Sequence, residues 1–360
     1  MKALFLVVSI FLYILFPAQV FAVTDAAVLS LLISPSPQAN ATGQSYGAHW
    51  ADDPMAGAVN PAAVGLYALK YTAGSAFYPK KVEWLKGFGS DLWHDSKAFT
   101  IGFDLSQVVK APITLGMSYF SSELNLGDQL RTDEDGIVVG RFKSFERYNN
   151  LTFSTAVDYY LRFSVGYTFK NINSQLAPPM DGFGGNAKPK AHDWGLIVQA
   201  PIFEMLDKMG RPVNVAQRMV PFFAPGFSYS KRNIGGSVSY GEMSRTDPLP
   251  RQAYVGVNIA TGFRYVHKNV RFDILNFRWA REMDDLLIKR ENGGEWEYLS
   301  GLNDIKFWDN VILGKDNDSA IMHEGFQISV GDIYFMRWGA YTDIDGKVEM
   351  DTNGYGINFM

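Results

Sequence analysis

Gly43-Gln44-Ser45-Tyr46-Gly47 satisfies the G-x-S-x-G pattern of a serine nucleophile elbow, and His49 follows two residues later. An elbow of that kind leaves a buried strand and opens a helix, so that the hydroxyl stands exposed on a strained turn. Here the motif follows the Pro- and Ser-rich run "SPSPQANAT", which is linker composition, so no catalytic residue is assigned and no enzyme is expected. The five histidines (His49, His94, His192, His267, His323) are scattered, with no i, i+4 pair for a zinc-protease helix. "KDNDS" at 315–319 and "DIDGKVEMD" at 343–351 are rich in oxygen ligands, but neither fits a calcium-binding helix–loop–helix. They read as solvated loop acids, and neither metal nor cofactor is expected. What remains is a set of charges placed within apolar stretches: Asp104, Asp158, Arg162, Arg264, Asp273 and Arg337. Groups of this kind line a permeation path or form cross-lumen ion pairs that hold a wall rigid. The second role is favoured, because polar groups in a narrow interior must satisfy one another.

The segments that carry these charges alternate with period two. In "FTIGFDL" Phe99, Ile101, Phe103 and Leu105 are apolar, and Thr100, Gly102 and Asp104 lie between them. "LTFSTAVDYYLRFSVGYTFK" sets Leu151, Phe153, Val157, Leu161, Phe163, Val165, Tyr167 and Phe169 against Thr152, Ser154, Asp158, Arg162, Ser164, Gly166, Thr168 and Lys170, with a tight turn near Tyr160. "ITLGMSYF", "YVGVNIATGFRYV" and "VRFDILNF" repeat the pattern, the last two joined by a turn at 267–269, and it returns over 326–338. Such alternation fits strands with one apolar and one small or polar face. A soluble sandwich also alternates, but it would place the charges outside, and it gives no reason for Tyr and Trp to crowd the segment ends. Tyr78, Trp84, Trp93, Tyr119, Tyr159, Tyr160, Trp194, Trp279, Trp338 and Tyr341 do so here, as in interfacial girdles. The fold expected is an all-β, antiparallel transmembrane β-barrel of about 12–14 strands.

Composition agrees. Aromatic residues make up 14% of the chain, glycines number 34, cysteines 0, and the net charge of −4 excludes nucleic acid as a partner on electrostatic grounds. Residues 1–22 read as a secretory signal peptide: Lys2, an apolar run from Ala3 to Phe16, Pro17, and small side chains before Ala22. That run is shorter than the roughly 20 residues a membrane-crossing helix needs. Beyond it the chain crosses lipid only if its strands close on one another. Turn-rich stretches at 131–136, 173–193, 243–252 and 280–323 separate the strands, and "PIFEMLDKMGRPVN" at 201–214 is placed as one short helix.

Ahead of the first strand, "DDPMAGAVNPAAVGL" (52–66) combines an acidic-Pro step, a run of small residues and Asn60-Pro61-Ala62. Asp-Pro and Asn-Pro favour turns or helix starts, and small side chains permit close packing inside a wall; a plain surface helix-turn is the other reading. This stretch resembles the start of the FadL-type outer-membrane barrels and their PorV/PorQ-like relatives. "RFSVGYTFKNINSQL", "HDWGLIVQAPI", "NIGGSVSYGEMSRTDPLPRQAYVGV" and "GYGINF" look like successive strands of the same family. The resemblance implies a hatch over 23–66, carrying Asn60, Pro61 and Ala62, inside a barrel over 67–360, located in the outer membrane. The family continues past the last of these strands, so either the barrel closes with fewer strands or the C-terminal end is incomplete.

The resemblance implies uptake of hydrophobic small molecules or, as in PorV-like members, docking and shuttling of secreted protein cargo. Both readings use outer-membrane lipid as a partner, and both use the loop after Trp279. Leu286, Leu287, Trp296, Phe307 and Trp308 make that loop unusually apolar, suited to a ligand pocket or a cargo surface.

Overall fold

The computed structural model describes residues 26–34, 36–45, 52–78, 82–83, 92–133, 135–177, 185–240, 246–268, 270–290 and 295–358. The expected signal peptide, His49 and Trp84 lie outside the described residues. The chain is an all-β antiparallel barrel with a small N-terminal hatch inside it. Twelve strands follow one another in a single antiparallel path, each pairing with its sequence neighbour. They are β1 (Ala73–Phe77), β2 (Leu92–Asp104), β3 (Ile113–Thr132), β4 (Val138–Asp158), β5 (Arg162–Gln175), β6 (Lys190–Gln199), β7 (Met219–Gly235), β8 (Gln252–His267), β9 (Val270–Leu286), β10 (Ile321–Val330), β11 (Tyr334–Asp343) and β12 (Val348–Ile357). Among the described residues no ladder joins β1 to β12, which leaves a seam between the first and last strands.

Connections at the two ends differ. Those at the lower end are short, as at 159–161 and 331–333, apart from two that carry helices, Ser106–Val109 between β2 and β3 and Ile202–Lys208 between β6 and β7. The upper end carries the long excursions at 176–189, 236–251 and 287–320. The tight turn expected near Tyr160 and the short helix after Pro201 occur where the sequence places them, and β8 and β9 pair up to His267 and Val270, on either side of the expected turn. The strands β3 and β4 run beyond the expected span because their upper ends, 128–132 and 138–143, project as a two-stranded ribbon, and those residues are largely exposed on both faces.

The two faces of the wall differ as the alternation requires. In β5, Phe163, Val165, Tyr167 and Phe169 point outward and are exposed, while Ser164, Thr168 and Lys170 point inward and are buried. Phe99, Phe103, Leu115, Leu151, Phe153 and Leu275 extend the outer apolar surface to neighbouring strands. Water would order around so large a continuous apolar band, whereas acyl chains match it. Arginine placed on that face near mid-height is expected to cost about 2–4 kcal/mol of folding free energy in a bilayer. Val165→Arg should therefore lower the stability measured by urea unfolding in phospholipid vesicles by that amount. A change near zero contradicts a lipid-facing wall.

Candidate functional site: the hatch, its track and the lower cavity

After a 3-10 turn at Leu29–Leu32, the hatch carries a short helix, α1 (Pro37–Asn40), capped by Ser36, whose hydroxyl accepts from the Gln38 and Ala39 amides and donates to Asp53 at 2.6 Å. The Asp53 carboxylate accepts in turn from the Met55 amide, which fixes the turn after Pro54. Asn60 makes the second turn: its Oδ1 accepts from the Ala62 amide at 3.1 Å and starts α2 (Ala63–Ala68), while its Nδ2 donates to the Tyr229 carbonyl. Asn60, Pro61 and Ala62 are buried.

This segment lies against a lateral row of small wall residues. Gly102 pairs with Gly116, Gly116 with Ser154, Ser154 with Gly166, Gly166 with Gly195 and Gly195 with Ser230, so one small residue from each of six consecutive strands stands at one height. The hatch follows the row: Ala68 meets Gly102, Val64 meets Gly116, Pro61 meets Gly166 and Asn60 meets Gly195. A Cβ on Gly166 would sit 2.3 Å from the Pro61 carbonyl, and one on Gly195 would sit 2.0 Å from Asn60 Oδ1. Neither approach tolerates a side chain.

Carbonyls of an irregular segment need donors wherever they leave water. Hydroxyls of the wall supply them. Ser164 donates to Ala62 O at 2.6 Å, Thr114 to Gly65 O at 3.1 Å, Thr100 to Pro54 O at 2.9 Å and Ser230 to Val59 O at 3.2 Å. Higher up, Arg232 donates to Leu31 O, the Ser30 amide to Glu146 and the Gly43 amide to Thr352, while His323 Nδ1 lies 2.9 Å from Gly43 O. Alanines and Leu66 of the hatch complete a core with Ala156, Ile197, Tyr254 and Ala280. Ser45, candidate for a nucleophile, is buried in this packing and donates to the Thr42 carbonyl.

The charged residues separate into three groups. Asp104 is exposed at a lower turn, where Oδ1 accepts from the Ser106 amide. Arg337 is buried beside the hatch and donates to Gln327 and to Gln38. The other four meet at the lower end. Arg162 pairs with Asp158 at 3.1 Å and Arg264 with Asp273 at 2.5 Å. Both arginines, together with Arg271, also bind Glu204 of the helix Ile202–Lys208, here α3. The distances to Glu204 are 2.5 Å from Arg162 and 3.0 Å from each of the other two. Burial opposes ionisation of Glu204, but the three guanidinium groups outweigh it and hold its carboxyl below the usual glutamate value.

Above these groups lies a cavity of about 350 Å³ between α3 and the hatch, walled by Leu66, Leu69, Phe203, Phe222, Phe223 and Phe272. Its charged lining balances, with Lys70, Arg162, Arg264, Arg271 and Arg278 against Asp52, Asp158, Glu204, Asp273 and Asp332, five of each sign. Asp52 crosses to Arg278 at 2.8 Å, and Lys70 to Asp332 at 3.2 Å, so the hatch is tied to the wall by two ion pairs as well. Burial alone would raise the Asp52 carboxyl; Arg278, with Lys70 and Arg337 nearby, holds it well below the carboxylate range. A second cavity, about 1080 Å³, opens at the seam between β1 and β12, and Asp52 borders it too.

The loop after Trp279, expected as a ligand pocket or a cargo surface, lies against the outside of the wall. Leu302, Ile305, Phe307 and Val311 fold down over outward-facing Phe227, Tyr229, Val255 and Met283 and form a small core on the outside of the wall. The reason is that these upper wall residues are themselves apolar and unscreened, so loop and wall bury one another. Leu287 is fully buried, Leu286 is half-buried at the end of β9, and the Trp296 indole donates to the Thr246 carbonyl. Trp279 donates to Glu324, and Trp308 alone of the expected loop residues stays strongly exposed, at 71%. Sequence reasoning missed Glu204, Arg271, Arg278 and the row of glycines. The glycines were visible as lumen-register positions, but only strand register shows that they align.

No family model matches the chain, and no curated protein matches it. Among solved structures it is similar to the crystal structure of the Ralstonia pickettii toluene transporter TbuX, at 12% identity, covering 85% of each chain, with a TM-score of 0.34. A likeness that distant carries no functional argument.

Alanine at Gly166 forces the Pro61 peptide away from its track. Gly166→Ala is expected to raise single-channel conductance in planar bilayers several-fold and to lower the melting temperature, whereas Gly140→Ala, at a position with nothing within 4 Å, changes neither. Equal behaviour of the two variants contradicts the track.

Proposed function

We propose that the chain is an outer-membrane channel for small hydrophobic molecules, of the FadL type, in which a movable hatch rather than an open pore controls passage. The observation that carries this reading is the placement of the two cavities. One lies beneath the hatch, the other at the unladdered seam, and hatch residue Asp52 borders both. An apolar solute needs no polar channel; it needs a route from a protein cavity into lipid. The seam supplies one, lined by Ala73, Ser75 and Ala76 of β1, Gly354 and Tyr355 of β12, and Tyr67 and Tyr71 of the hatch. Parting of the Asp52–Arg278 pair would connect the two spaces. No covalent step is involved.

A secretory signal peptide over 1–22 and a lipid-facing wall support location in the outer membrane. The alternative, docking of secreted protein cargo, requires an exposed apolar loop. The loop after Trp279 spends most of its apolar side chains on the wall, which favours transport.

Gly356→Trp puts an indole into the seam cavity beside Arg337, away from the hatch track. Cells carrying the wild-type chain should accumulate radiolabelled naphthalene several-fold faster than cells without it, and Gly356→Trp should remove at least two thirds of that gain. Uptake equal to that of cells lacking the chain, with secreted proteins recovered on the purified barrel, overturns the transport reading in favour of docking.

A further inference from the structure

We infer that the cavity beneath the hatch is a binding site for a small amphiphilic carboxylate, and that Glu204 occupies its anion subsite until such a ligand displaces it. The inference deepens the transport reading and rests on it for the route by which a ligand arrives. It stands on three features.

The first is the convergence of Arg162, Arg264 and Arg271 on one carboxylate of the chain itself. These arginines come from β5, β8 and β9, and the wall holds two of them in place through Asp158 and Asp273. Glu204 is the group that comes from outside the wall. A guanidinium cluster recognises a carboxylate by paired, charge-assisted hydrogen bonds, and an incoming carboxylate reproduces them. Because the charged lining is balanced with Glu204 in place, an added anion is accommodated only when Glu204 leaves.

The second feature is the weak attachment of α3. No residue of this helix is fully buried. Beyond Glu204, the attachment includes Lys208, which meets Asp158 at 3.6 Å and donates to the Tyr159 carbonyl. A segment with few buried contacts opens at low free-energy cost. The third is the apolar wall directly above the arginines, formed by Leu66, Leu69, Phe222 and Phe272, none of them on α3. Exchange of one carboxylate for another leaves the ionic terms nearly unchanged. The apolar portion of a ligand then adds burial that Glu204 does not provide. Phosphate and chloride lack that portion, and a neutral alcohol lacks the head group.

Tethering gives Glu204 a high effective concentration at the arginines, so its removal exposes the site. Isothermal titration of the full chain in detergent with benzoate, benzyl alcohol and inorganic phosphate reads this directly. Glu204→Ala is expected to bind benzoate at least tenfold more tightly than wild type, with no gain for benzyl alcohol or phosphate, and Glu204→Ala/Arg264→Gln is expected to lose the gain. Benzoate affinity unchanged or weakened in Glu204→Ala, or an equal gain for benzyl alcohol, overturns the inference. Should the variants fail to fold, wild type suffices: saturating benzoate should accelerate tryptic cleavage after Lys208 at least threefold by releasing α3, and an unchanged rate overturns it. Naphthalene uptake retained without a benzoate effect removes this inference alone. Uptake lost with benzoate binding intact removes the transport reading alone.

Discussion

A hatch packed inside a β-wall needs the wall to vanish where the hatch runs, and everything else in this molecule follows from that steric requirement. Gly102, Gly116, Ser154, Gly166, Gly195 and Ser230 make a furrow one side chain deep across six strands. In the furrow the backbone of the hatch comes within reach of wall hydroxyls, which take up carbonyls that no regular structure satisfies. Contact and hydrogen bonding reinforce one another: the small residues permit the approach, and the approach makes the hydroxyls useful. Where the hatch runs, the interior is consequently a packed core, with hatch alanines against Ile197 and Tyr254.

Once the furrow fixes the hatch, the charges sort themselves by what remains uncovered. Around the hatch, Arg278, Arg337 and Lys70 find partners on it or beside it. Below it, where no hatch reaches, Asp158 and Asp273 of the wall answer Arg162 and Arg264 but leave the three arginines one carboxylate short. The connection between β6 and β7 folds back as a helix and supplies Glu204 to all three. A partly buried cation left short of a counter-charge costs more than docking a short helix through a few contacts. The same logic, with apolar area in place of charge, brings the long upper loop down over Phe227 and Val255 on the outside.

Much of this architecture is legible in the sequence because a two-faced strand writes its environment into alternate residues. Phe163, Val165, Tyr167 and Phe169 announce lipid, and Ser164, Gly166 and Thr168 announce the lumen, without any knowledge of neighbours. The inward parity of Asp158, Arg162, Arg264 and Asp273 is legible for the same reason. Their meeting with Glu204 is not, since it depends on which strand ends become adjacent and on a helix whose docking buries no residue fully. The loop after Trp279 shows the opposite limit: its apolar composition is plain, but composition does not say which apolar surface it covers. The furrow lies between the two, each glycine visible alone and the row visible only in register.

The account turns on the hatch being as firmly ordered as the wall that surrounds it. Hydrogen–deuterium exchange, followed by mass spectrometry on the full chain in detergent or lipid, measures this without altering a residue. Peptides spanning Val59–Ala68 should exchange as slowly as those of β5 and β6, and far more slowly than the exposed turn at 135–137. If the hatch peptides exchange at the rate of that turn, the furrow holds nothing, and the closed lumen described here is wrong.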